Sequence, residues 1–181
     1  GNYLADEISV KPISTEHEAF AAAEKAVNER LQQLMNIKGK QTVESFHKRL
    51  GRIMWEKCGM GRNEQGLKEA ISEIRQLKKE FWSDVRIPGT INEFNTELDK
   101  AGRVADFIEL GELMCVDALN RNESCGGHFR EESQTEDGEA KRDDVNYAYV
   151  SAWELRGEHD WQLHKEELVF DVAKPSQRSY K

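Results

Sequence analysis

The sequence predicts a mainly α fold: an antiparallel bundle of three to four helices (spectrin-repeat-like), followed by a loop and a C-terminal β-hairpin/tail. Three observations carry that prediction. Apolar residues recur at helical spacing from Phe20 to about Leu119, broken only by short links. A period of two replaces that spacing only after residue 145. Between the two regimes, residues 131–144 hold seven acids and two bases, which reads as a solvated, mobile loop. The chain therefore divides into a helical bundle over residues 1–122, a motif and acidic loop over 123–144, and a hairpin with a basic tail over 145–181.

The first helix is expected to start at a capping box, with the Thr15 hydroxyl at the N-cap and Glu18 three residues later. Phe20, Ala23, Val27, Leu31 and Leu34 then share a face to about Ile37, and Lys38-Gly39-Lys40 stops it. A second helix starts at Thr42 with Val43, Phe46, Leu50, Ile53 and Met54 on one face, and Gly59-Met60-Gly61 ends it. Asn63 caps a third, whose stripe is Leu67, Ile71, Ile74, Leu77 and Phe81. After a turn at Ile87-Pro88-Gly89-Thr90, a fourth helix is expected from near Asn92 to about Leu119. Its stripe of Phe94, Leu98, Ala101, Ala105, Ile108 and Cys115 is widened by Val104, Phe107, Met114 and Ala118, which suits the buried spine of the domain. Val145, Tyr147, Tyr149, Trp153 and Leu155 alternate as a strand. A turn at residues 157–160 and a second strand from Trp161 to Phe170 follow, then a basic, extended tail.

At 181 residues the chain suits one domain, and 38% hydrophobic residues are enough for a core. A net charge of -8 disfavours non-specific binding to nucleic acid or to an anionic lipid surface. No apolar run is long enough for a membrane span, so direct insertion is not expected. There is no secretory leader pattern, and Gly1-Asn2-Tyr3 in place of an initiator Met suggests a cloning scar at the edge of an excised fragment. The three cysteines Cys58, Cys115 and Cys125 suit reduced thiols better than a disulfide framework.

Chemistry-bearing residues concentrate at the end of the fourth helix, in Arg121-Asn122-Glu123-Ser124-Cys125-Gly126-Gly127-His128-Phe129-Arg130. No glycine-rich phosphate cradle occurs anywhere, so no nucleotide cofactor site is expected in these residues. Cys125 and His128 supply only half of a zinc site, and nothing nearby would orient the imidazole of a Cys–His nucleophile. His159 and His164 flank a turn and are expected in solvent. The reading the residues favour is structural. Glycines let the chain leave the helix, and Arg121 and Arg130 fork onto carboxylates such as Glu123, Asp143 or Asp144.

The series Arg121-x-Glu123-Ser124-x-Gly126-x-His128-x-Arg130, followed by Arg142-Asp143-Asp144, resembles the C-terminal domain of succinate dehydrogenase and fumarate reductase flavoprotein subunits. Members typically carry Arg-x-Glu-Ser-Arg-Gly-Ala-His-x-Arg, an Arg-Asp-Asp, a two-stranded segment and a Pro-x-x-Arg-x-Tyr-like tail, here Pro175 to Tyr180. Cys125 stands where many have arginine and Gly127 where many have alanine, a form similar to the bacterial, menaquinone-linked branch. The related L-aspartate oxidases share part of the motif, and a free-standing helical interaction module is the competing class.

The resemblance implies a parent subunit that holds FAD, interconverts succinate and fumarate, and passes electrons to an iron-sulfur subunit and a membrane quinone. It implies no catalytic, cofactor-binding or metal residue in this chain. Arg121, Glu123, Ser124, Gly126, His128, Arg130, Arg142, Asp143 and Asp144 are instead expected as a structural motif and interdomain contact. The implied partners are the flavin-binding domain of the same chain, the iron-sulfur subunit and, indirectly, the quinone-binding membrane subunit. The implied location is peripheral, on the cytoplasmic face of the inner membrane. Separation from the parent is expected to bare an apolar patch on faces carrying Trp55, Trp82, Trp153 or Trp161.

Overall fold

The computed structural model describes residues 14–173 and Ser176. The expectations for residues 1–13 and for the tail pattern from Pro175 to Tyr180 lie outside the described residues, apart from Ser176. In chain order the elements are α1 (Glu18–Asn36), β1 (Gln41–Thr42), α2 (Val43–Lys57), α3 (Glu64–Asp84), β2 (Val85–Arg86), α4 (Thr96–Asn120), α5 (Asp144–Tyr147), β3 (Tyr149–Gly157) and β4 (Asp160–Glu167). Helices α2, α3 and α4 pack on one another, and α1 joins them through α4. β3 and β4 form the antiparallel hairpin.

Sequence patterning accounts for the three central helices. Each begins at a side-chain cap: Thr42 Oγ1 accepts from Ser45 N, Asn63 Oδ1 from Gly66 N, and Asn95 Oδ1 from Leu98 N. The predicted stripes supply the core, with Phe46, Leu50, Leu67, Ile74, Leu77, Phe81, Ala101, Ile108 and Cys115 all buried. Phe46 and Phe81 meet edge to face at 5.3 Å. Gly111 brings α2 close to α4, since a Cβ there would lie 3.3 Å from Leu50 Cδ1 and from Met54 Sδ.

Several expectations are corrected. The capping box at Thr15 does not form; α1 is capped at His17, whose Nδ1 accepts from Ala19 N. Only the C-terminal end of α1 packs, so Leu34 is buried while Phe20 and Val27 are exposed. Helix α4 starts at Thr96 because Asn95 is committed to the preceding turn, where its Nδ2 donates to Pro88 O and Thr90 O. Phe94 thus stays outside the helix and exposed. Phe107 and Met114 are also exposed, so α4 is buried along a narrower stripe than predicted. The strand expected from Val145 starts instead at Tyr149, because Asp143 caps the short α5. The second strand stops at Glu167, short of Phe170.

A two-residue parallel pairing of β1 with β2 was not readable from the sequence. It forms where Gly39 N donates to Val85 O, and Asp84 Oδ1 accepts from Lys40 N. Lys38, not Gly39, takes the left-handed conformation that leaves α1, at φ 51. Gly39 is needed for close approach: a Cβ there would fall 2.0 Å from the Asp84 carbonyl carbon. Gly39→Ala must move backbone and should destabilise the chain by at least about 3 kcal/mol, read from the denaturant midpoint. Gly51→Ala, where a Cβ meets nothing within 4 Å, is the matched control and should be neutral or stabilising.

Candidate functional site

Arg130 is the centre of the motif and is 2% exposed. Its guanidinium reaches back to the end of α4, donating from Nη1 to Ala118 O at 2.9 Å and to Leu119 O at 3.3 Å. A cation on the last carbonyls of a helix meets both their unfilled acceptors and the negative end of the dipole. Nε of Arg130 donates to Glu132 Oε2 at 3.1 Å, and Glu132 Oε1 accepts from Glu64 N at 2.6 Å. Glu132 thus links the C-terminal end of α4 to the N-terminal end of α3. Burial pushes its carboxyl up, but the Glu64 amide and the Arg130 guanidinium outweigh that and hold it below its ordinary value.

Ser124, fully buried, closes the loop from inside: its Oγ accepts from Arg130 N at 2.8 Å and donates to Arg130 O. The four residues Cys125 to His128 form a tight turn, with Cys125 N donating to His128 O and His128 N to Cys125 O. Gly126 takes φ 58, so of the paired glycines it is the one the turn requires. Glu123, 3% exposed, accepts from Asp143 N at 2.9 Å through Oε2. Arg121 lies 3.6 Å from Glu123, but its Nη2 donates to Tyr147 O and Tyr149 O, and its guanidinium sits 5.4 Å from the Tyr149 ring centre.

The expected pairing is therefore corrected in part. Arg121 does meet Glu123, loosely. Arg130 meets neither Asp143 nor Asp144, because helix-end carbonyls lie within reach of its fork. Asp144 pairs with Arg142, whose Nε donates to Asp144 Oδ1 at 2.8 Å and whose Nη1 reaches Ser176 O. Asp143 caps α5. The acidic loop is not a free coil: Thr135 N donates to Glu139 O and Lys141 N to Ser133 O, with Gly138 at φ 82 in the turn.

His128 contributes no catalytic nitrogen. Nε2 lies 2.7 Å from Arg121 O, which can only accept, so Nε2 carries the proton. Nδ1 then accepts from Arg62 Nη1 at 2.9 Å. Burial holds the imidazole below its ordinary pKa; the Arg121 carbonyl opposes this, and Arg62 and Arg130 reinforce it. With both nitrogens engaged, His128 can neither activate Cys125 nor bind a metal without breaking the loop. Among the described residues no group of three His, Cys, Asp or Glu side chains is placed to hold an ion.

Three residues that matter here escaped the sequence reading. Arg62 joins the α2–α3 link to the motif: Nε donates to Gly59 O, its N to Phe129 O, and its O accepts from Glu131 N. Glu112 is 2% exposed in α4 and binds Arg75 Nε and His159 Nδ1, each at 2.8 Å. His159 is thus half-buried and pinned, contrary to expectation, whereas His164 is exposed. Glu112 had a signal: it lies four residues after Ile108 and three before Cys115, on the buried stripe. Asp117 accepts from Trp153 Nε1 at 2.7 Å and fastens the hairpin to α4. Elsewhere, interaction with the Cys115 thiol, aided by Arg62 and opposed by burial, lowers the Cys58 thiol to about 7, while interaction with Cys58 and burial together raise Cys115.

The hollow beside Arg121, Glu123, Arg142 and Tyr149 measures about 140 Å³, well under the roughly 300 Å³ of small-molecule sites. The arrangement is a clasp that binds three backbone segments together. Arg130→Ala should cost about 3–5 kcal/mol in denaturant unfolding, and Arg121→Ala about 2–4, because buried acceptors and carboxylates are left without a donor. Arg130→Lys should rescue only part, since one ammonium cannot reproduce the fork. His128 is protonated more readily in the unfolded chain than in the folded one. Its contribution is therefore full above the ordinary value of 6.5 and is lost as pH falls through the lower folded value. Unfolding free energies from about pH 5 to 7.5 should show that slope in the parent and a weaker one in His128→Gln.

Comparison with known proteins places this geometry. The family described as fumarate reductase flavoprotein C-term matches residues 47–180, which contains the whole clasp. The fumarate reductase flavoprotein subunit of Proteus vulgaris is 28% identical over 162 residues, covering 90% of this chain and 26% of that protein. An uncharacterised FAD-dependent oxidoreductase of Methanocaldococcus jannaschii is 29% identical over 110 residues, 61% of this chain and 19% of its own. A solved structure of the E. coli quinol fumarate reductase FrdA, a point variant, superposes with a TM-score of 0.77 at 26% identity, over 91% of this chain and 27% of that one. The chain thus spans about a quarter of the length of the Proteus subunit and of FrdA. With its motif, helices α3 and α4 and the hairpin all inside the matched span, the chain belongs to the fumarate reductase flavoprotein C-terminal family.

Proposed function

We propose that this chain is the C-terminal helical part of an FAD-dependent flavoprotein subunit that interconverts fumarate and succinate. The observation that carries the reading is the match of the family over residues 47–180, clasp included. In the intact subunit FAD would supply the two-electron exchange with the dicarboxylate. The described residues do not fit that group: the parallel pairing between their strands is two residues long, and no glycine-rich turn joins a strand to a helix. FAD would be held by sequence outside this chain, and no catalytic step is assigned to the residues here.

The role of the chain itself is mechanical. The clasp fixes how α3, α4 and the hairpin meet, and so sets the surface offered to the flavin-binding domain of the same polypeptide. Trp55, Met60, Leu110 and Met114 are exposed apolar residues that suit such a contact. Of the four tryptophans expected there, only Trp55 is exposed; Trp82, Trp153 and Trp161 are half-buried within the chain. The relatives' quinol fumarate reductase assemblies support an iron-sulfur subunit and, through it, a quinone-binding membrane subunit as further partners. A peripheral place on the cytoplasmic face of the inner membrane would follow from membership of such an assembly; no described helix is long and apolar enough to cross a membrane.

The test is to express the polypeptide extended N-terminally along its reading frame. It should carry one flavin and oxidise a reduced viologen dye only when fumarate is added, while the 181-residue chain alone does neither. An extended polypeptide that purifies folded yet flavin-free would overturn the proposal.

A further inference from the structure

The apolar stripe of α1 is longer than the core that receives it. Leu31 and Leu34 pack against that core, whereas Phe20, Ala23 and Val27, on the same face, are exposed. A helix of 19 residues draws its stability mainly from packing, so an apolar face that meets only water adds nothing to it. A second uncovered stripe stands opposite. Arg30 of α1 and Asp106 of α4 form an ion pair at 2.5 Å, which marks where the two helices lie side by side. β1 follows α1, β2 precedes α4, and the two strands pair, so the helices run in opposite directions from that end. Val27 stands one turn before Arg30, and Leu110 one turn after Asp106. Phe107, Leu110 and Met114 recur at i, i+3 and i+7, the spacing of Phe20, Ala23 and Val27.

The five large side chains of the two stripes are between 44% and 59% exposed, half covered as the walls of a cleft are. Phe94 and Val145, at 93%, show what a side chain standing free looks like here. Area decides the kind of occupant. Five half-covered apolar side chains offer on the order of 500 Å², short of the roughly 800 Å² per partner of a stable interface. A second copy of the chain would therefore be held weakly. A segment of the same polypeptide is present at a high effective concentration, and a small apolar surface is enough to capture it.

We infer that the cleft between the first half of α1 and the stripe from Phe107 to Met114 of α4 seats apolar side chains of the flavin-binding part of the same polypeptide. The inference rests on the functional reading above and adds where on this chain that part is held. The matching family is the C-terminal part of its flavoprotein, and the chain covers 26% of the Proteus subunit, so in such a subunit the larger part precedes α1. The uncovered half of α1 is the half nearer to it.

The test is hydrogen–deuterium exchange over residues 19–30, read in two proteins. One is the polypeptide extended N-terminally along its reading frame, with flavin content measured on the same sample. The other is the 181-residue chain, whose helical core is built from described residues. The α1 amides should exchange at least about 10-fold more slowly in the extended, flavin-bearing polypeptide. Phe20→Gln with Val27→Lys introduces good helix formers and should return that exchange to the rate of the 181-residue chain carrying the same two changes. A flavin-bearing polypeptide whose α1 exchanges as fast as in the 181-residue chain overturns this inference and leaves the functional reading standing. So does a double variant that stays protected. A folded extended polypeptide without flavin overturns the functional reading, and this inference with it. Protection of α1 in the 181-residue chain that grows with its concentration assigns the cleft to a second copy and overturns the inference as well.

Discussion

Arg130 is a cation almost wholly withdrawn from water, and the rest of the motif is arranged so that it can stay there. Its fork fills the last carbonyls of α4, its backbone is held by Ser124, and its third contact is Glu132. Glu132 in turn occupies the first amide of α3. One buried guanidinium thus connects the negative end of one helix dipole, through a carboxylate, to the positive end of another. Removing it would strand partners at both ends, which is why the contact specifies how α3 and α4 are placed rather than merely adding to their packing.

The crowd of reactive groups around it is spent on structure. His128 uses both nitrogens, one on a carbonyl and one on Arg62. Glu123 holds the amide of Asp143, and Arg121 holds two carbonyls at the start of the hairpin. Each group that could act as a base, an acid or a ligand already has a partner whose loss would open the loop. Cys125 is the exposed exception, and no oriented base stands beside it. A family signature of this kind preserves a shape, and the flavin chemistry would belong to the remainder of the subunit.

A second polar anchor, independent of the clasp, does for the hairpin what Arg130 does for the helices. Glu112 is buried in α4 and receives Arg75 from α3 and His159 from the β3–β4 turn. His159 accepts a left-handed backbone at φ 59 to reach it. Together with Trp153 on Asp117, this holds a two-stranded ribbon that would be marginal alone.

The sequence by itself determined the four long helices, the buried stripes of α2 and α3 and the existence of the hairpin, because periods of 3.6 and 2 are local properties of neighbouring residues. It determined which ten residues matter, and the resemblance they carry. It misplaced Thr15, since His17 takes the cap of α1, and Asn92 and Val145, since Asn95 and Asp143 cap the helices there. It offered Arg130 the carboxylates of Glu123, Asp143 or Asp144, whereas helix-end carbonyls, invisible in a string of side chains, and the adjacent Glu132 took the fork. Arg62, the pairing of β1 with β2, and the meeting of Cys115 with Met54 join residues tens of positions apart. Only the tertiary structure decided them, because they exist only once α2 and α3 have been folded back onto α4.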